Sequence, residues 1–78
     1  MGTDGWPLER GPCAGVVTAF EEERGLGTAQ DEGGARFDFH CTSIVDGTRS
    51  IEVGRAVLFV VRPGRRGRLE AWEIVKRS

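Results

Sequence analysis

The sequence predicts an all-β protein, one small barrel of five short strands. Three observations carry that expectation. A chain of 78 residues and 8.5 kDa has room for a single domain, because a chain of this size buries only about 60% of its unfolded surface and needs every element in one core. Apolar residues alternate over short runs and do not recur at helical spacing. Most of the twelve glycines fall between those runs, where turns belong. Hydrophobic residues at 38% and charged residues at 29% fit a globular chain better than a disordered one. Closing five strands on themselves removes the unpaired edges that an open sheet would expose.

Each element follows in order. Residues 1–13 carry Gly2, Gly5, Pro7, Gly11 and Pro12 without periodicity and read as a loose N-terminal arm, with Trp6 and Leu8 as its large apolar groups. The domain proper is expected over residues 14–78. Its first strand starts at Ala14 and sets Val17 and Phe20 among Thr18, Ala19 and Glu21. A charged turn, Glu22-Glu23-Arg24, leads into a second strand over residues 25–31, so the two form a hairpin. After Asp31-Glu32-Gly33-Gly34, the run Arg36-Phe37-Asp38-Phe39-His40 puts both Phe on one face and Asp38 and His40 on the other. Residues 41–54 show no period and read as a long connection with a short helical turn near residues 42–44. The fourth strand, residues 55–62, alternates Val57, Phe59 and Val61 with Leu58 and Val60. Pro63-Gly64-Arg65-Arg66-Gly67 then turns the chain into a fifth strand over residues 69–75.

Charge is divided along the chain. The net value of −1 conceals −5 over residues 1–40 and +4 over residues 41–78, and ten of the eleven basic residues are Arg. Such a balance excludes a histone-like polycation. Two cysteines, Cys13 and Cys41, cannot build a disulfide scaffold and are expected as reduced thiols; with one His they make a poor metal site. No apolar run approaches the ~18 residues of a membrane span, and no leader pattern opens the chain, so a soluble cytoplasmic protein is expected. No Ser-His-Asp spacing or phosphate-cradling glycine loop is present. Asp38 and His40 are neighbours on one strand face, which a salt bridge explains as well as chemistry does. The chain is therefore expected to be no enzyme, with no cofactor and no small-molecule substrate.

Several segments resemble a known family. Gly15-Val16-Val17-Thr18-Ala19-Phe20, Arg24-Gly25-Leu26-Gly27-Thr28 and Phe37-Asp38-Phe39-His40-Cys41 fall in the order in which cold-shock domains carry G-x-V-K-W-F, K-G-F-G-F and V-F-V-H-F. Downstream, Ser50-Ile51-Glu52-Val53-Gly54 is similar to S-L-E-E-G, Val57-Leu58-Phe59-Val60-Val61 to V-x-F-x-V, and Ala71 with Ile74 to the closing A-x-x-V, with one extra residue in the preceding turn. The resemblance implies a five-stranded antiparallel oligonucleotide-binding (OB-fold) barrel with Greek-key connectivity. It also implies a free-standing bacterial chain that binds single-stranded RNA or DNA through aromatics on strands two and three.

Position by position, most of the family's rings are missing. Its Trp corresponds to Ala19, its two Phe of the second motif to Leu26 and Thr28, and those of the third to Asp38 and Cys41. Phe20 and His40 remain, and Arg24 keeps a positive charge. Losing five stacking groups at even ~1 kcal/mol each would weaken binding more than a thousandfold if the terms added. Glu21, Glu22, Glu23 and Asp38 also repel phosphate. Weak or altered binding is expected, carried by Phe20, Leu26 and His40 against bases and by Arg24, Arg65, Arg66 and Arg68 against phosphates; the arginine turn otherwise reads as a solvated hairpin tip.

A second expectation concerns Leu58 and Val60 on the outward face of strand four, with Trp72 on strand five and Trp6 in the arm. Outward apolar residues on a small barrel need cover. Either the arm folds over them, or a homodimer or another protein partner does. In that case the chain is an interaction or regulatory module that has lost nucleic-acid binding.

Overall fold

The computed structural model describes residues 12–64 and 67–77. Trp6, Leu8, Arg65 and Arg66 lie outside them. The elements are β1 (Cys13–Glu21), β2 (Leu26–Asp31), β3 (Arg36–His40), a single 3-10 turn (Cys41–Ser43), β4 (Ala56–Pro63) and β5 (Leu69–Lys76). They close into a barrel in the order β1-β2-β3-β5-β4, all-β with almost no helix. Strand limits agree with the alternation in sequence to within a residue or two. Cys13, assigned to the arm by its neighbours, already pairs with Phe59 in β1.

One feature of the expected sheet is corrected. Four junctions are antiparallel, whereas β3 and β5 run parallel and meet at Asp38 and Glu70. The reason is parity. Directions can alternate around a closed ring only if the number of strands is even, so five strands must leave at least one parallel junction. That junction is short, with one further parallel bridge, Ile44 to Ile74, just beyond β3.

The interior contains Val17, Ala29, Phe39, Val57, Phe59, Val61, Ala71 and Ile74, with Cys41, Ile44 and Ile51 from the long connection. Phe37 is half-buried, its ring tilted against Phe59 at 5.9 Å between centroids. Ile44 and Ile51 show why residues 41–55 need no strand of their own: they plug the barrel while the backbone of Val45 donates to the Ile74 carbonyl and that of Gly54 to the Val17 carbonyl. The loop is also tied from outside. Thr48 donates to Asp46 from its backbone N–H and its hydroxyl, and Lys76 Nζ lies 3.3 Å from the carboxylate. Those donors hold the Asp46 carboxyl below its ordinary range, the backbone N–H first. No disulfide joins Cys13 and Cys41. No helix among the described residues is long and apolar enough to cross a membrane.

Two register shifts shape the surface. One falls between Val17 and Ala19 in β1. The other falls between Leu58 and Val60 opposite β5, where Glu73 has φ 54° and pairs with Arg62 at 2.7 Å. Each is a bulge that lets a strand bend around the core.

Candidate functional site

Cross-strand register determines which side chains share the outer face. Ala19, Thr28 and Asp38 form one outward row across β1, β2 and β3, and Glu21, Leu26 and His40 form the next. Between them runs an inward row, Phe20, Gly27 and Phe39. Gly27 has no side chain to separate its neighbours: a Cβ there would lie 2.5 Å from the Phe39 ring and 2.8 Å from the Phe20 ring. Phe20 and Phe39 consequently stack, with centroids 6.1 Å apart and planes 17° apart.

Phe20, expected as an exposed stacking ring, is less exposed than that. It is half-buried at the mouth of the barrel with one face taken by core Phe39, although its rim still borders a shallow cleft with Ala19, Leu26, Thr28 and Asp38. The register shift at Val17/Ala19 turned it inward, and sequence alternation alone gives no sign of that shift.

His40 is held in place. Its Nδ1 accepts from the Thr42 backbone N–H at 3.2 Å, capping the 3-10 turn. A neutral ring that accepts at Nδ1 carries its proton on Nε2, which leaves an N–H donor available on the exposed side. Gly25 makes this corner possible. It has φ +67°, its carbonyl accepts from Cys41 N–H at 2.7 Å, and a Cβ there would lie 2.7 Å from Cys41 Sγ.

Leu26 is 44% exposed, and its side chain links the shallow cleft to a larger one of about 700 Å³ at the β3–β5 junction. The larger cleft is lined by Leu26, Asp38, Phe39, His40, Gly64, Glu70 and Trp72. It opens there because the parallel seam is short: beyond Asp38 and Glu70 the strands part and expose a route to buried Phe39.

Trp72, grouped in the sequence with Leu58 and Val60, serves two surfaces. It does pair with Val60 across β4 and β5 and is 38% exposed, yet it also lines the cleft with His40 and Leu26. An indole from β5 thus joins side chains of β2 and β3 in one cleft. No local signal could have revealed this, since it depends on a contact between strands about thirty residues apart. Glu70 is the other residue the sequence did not single out.

Among the predicted basic groups, Arg24 and Arg68 are described. Arg24 is 3.9 Å from Glu21, and Arg68 is 3.7 Å from Asp38, with side chains 71% and 75% exposed. Pairs so exposed contribute about 0–1 kcal/mol, so either arginine can exchange its carboxylate for a phosphate at little cost. Leu58 and Val60 are half-buried outside the β4 core face; Leu58 pairs with Val75, and Val75 and Val16 are exposed nearby.

Fold and cleft together define a small closed β-barrel with a ring-lined opening at its one parallel seam. No protein-family model matches the sequence, and neither does any curated protein.

Proposed function

We propose that this chain is a cold-shock-like, OB-type module that binds single-stranded RNA or DNA with weakened or altered preference. The observation that carries this reading is that Leu26, His40 and Trp72 line a single open cleft, with Arg68 against its Asp38 edge and Arg24 against Glu21, the cross-strand partner of Leu26. Exposed rings and apolar side chains accept base faces, while arginines at the rim neutralise backbone phosphates. The barrel order β1-β2-β3-β5-β4 supports the OB and Greek-key assignment, as do the five family-like segments in their order. A bacterial cytoplasmic setting belongs to the same proposal. The reading assigns the chain no reaction and no cofactor.

Titration with a short labelled oligouridine at several salt concentrations tests it. With Arg24, Arg65, Arg66 and Arg68 on phosphates, log K is expected to fall with log salt at a slope of roughly −3, from about −0.7 per neutralised phosphate on a single strand. No saturable binding into the high-micromolar range at low salt would overturn the proposal.

A second reading rests on a different surface. Leu58, Val60, Val75 and Val16 make an apolar stretch outside β4 and its neighbours, which supports a homodimer or a protein partner there. Leu58→Asp is expected to lower the sedimentation coefficient of such a dimer while leaving the circular dichroism spectrum intact. An unchanged monomeric coefficient in both proteins removes the homodimer.

A further inference from the structure

The cleft at the parallel seam contains a group that a general single-strand binder does not need. Asp38 and Glu70 are Cα partners at the seam, and both line the cleft beside Trp72 and His40. Their circumstances differ. Asp38 accepts from Thr28 Oγ1 at 3.4 Å and faces Arg68 at 3.7 Å. Glu70 is half-buried, and its carboxylate lies against Gly64, in the space a side chain at that position would occupy. Among the described residues no hydrogen bond or ion pair engages it.

A carboxylate is an acceptor-only group with two oxygens, so what it recognises must present donors. Glu70 and Trp72 are two residues apart on one face of β5, or roughly 7 Å along the strand, about the width of a nucleobase. A base stacked on the indole therefore turns its Watson–Crick edge toward Glu70. Guanine presents two adjacent donors there, N1–H and N2–H. Adenine and cytosine place a ring acceptor beside their amino group, and uracil flanks its single N–H with two carbonyls.

We infer that the Trp72–Glu70 cleft is a guanine-selecting subsite, in which Trp72 supplies the stacking face and Glu70 accepts from N1–H and N2–H. This inference rests on the nucleic-acid reading above and assigns that site its base preference. The observations favour a base over a cationic side chain because the cleft is bordered by exposed Arg68 as well as by His40, whose Nε2–H is a donor free to meet guanine O6 or a phosphate.

The test uses the full chain and four labelled heptamers, uridine throughout except for a central guanine, hypoxanthine, adenine or uracil, followed by fluorescence anisotropy at low salt. The guanine heptamer is expected to bind about tenfold more tightly than the uracil and adenine ones, within the range of one bidentate base contact. Hypoxanthine, which lacks the N2 amino group, is expected to fall between. Glu70→Gln is expected to bring the guanine-to-uracil ratio close to one while affinity for the all-uridine heptamer holds or rises, which a merely structural loss would not produce. Equal binding of all four heptamers, or a preference untouched by Glu70→Gln, overturns the inference and leaves the nucleic-acid reading in place. Failure of all four to bind overturns both. Glu70-dependent capture of a tetra-arginine peptide with no heptamer bound assigns the cleft to a cationic protein segment and likewise overturns it.

Discussion

Replacing Phe59 with alanine is expected to remove a large share of the chain's folding stability, about 3–5 kcal/mol. Phe59 is 1% exposed, stands at the centre of β4, and packs against the Phe37 ring from the far side of the barrel. Removing a buried Phe costs about 3–5 kcal/mol, since the cavity it leaves closes only in part. A domain of this size has roughly 4–12 kcal/mol in total, at 0.05–0.15 kcal/mol per residue. Urea unfolding followed by far-ultraviolet circular dichroism should show the midpoint falling by about a quarter or more. Phe59→Leu, which keeps most of the volume, is expected to cost less than about 2 kcal/mol. A midpoint for Phe59→Ala within experimental error of the parent would mean that Phe59 does not hold the barrel walls together.

Trp72→Ala is expected to do the reverse, sparing the fold while weakening oligonucleotide binding by about 5- to 150-fold, equivalent to the 1–3 kcal/mol of one base–aromatic stack. At 38% exposure the indole is a border residue, so its loss opens no closed cavity. Trp72→Phe should retain most of the affinity, because a smaller ring still offers a face. The readout pairs anisotropy with a thermal melt, so that lost binding and lost structure are separated. Unchanged affinity in Trp72→Ala would move the site back to the shallow cleft bordered by Phe20, Ala19 and Thr28.

The strands were legible in the sequence because each side of a strand meets a different solvent. Val57, Phe59 and Val61 against Leu58 and Val60, or Phe37 and Phe39 against Asp38 and His40, record burial at period two without reference to any other strand. The connection was legible only as a connection. Ile44 and Ile51 are buried by the barrel end they cap, and nothing in their own neighbourhood repeats, so periodicity could not mark them as core.

The candidate site was legible residue by residue but not as an arrangement. His40, Leu26 and Arg24 could be chosen from their places in family-like segments, and they do lie near one another. Phe20 lies half-buried against Phe39 because a one-residue register shift changes the face to which a side chain points, which alternation does not record. Trp72 does face Val60 across the β4–β5 hairpin, as its sequence context implies, whereas His40 joins it in one cleft only through the closure of the ring.

The sequence by itself determined that the chain would be five strands with one apolar face each, that few aromatic residues would stand outside its core, and that charge would divide between its halves. With an odd number of strands, it also determined that a closed barrel must contain a parallel seam. Tertiary structure alone decided where that seam falls. It lies between β3 and β5, where Asp38 meets Glu70, so that a tryptophan, a histidine and two carboxylates border one cleft. The physical reason is that alternation is written locally, one residue against the next, whereas closure is a condition on all five strands together, satisfied by contacts between residues far apart in the chain.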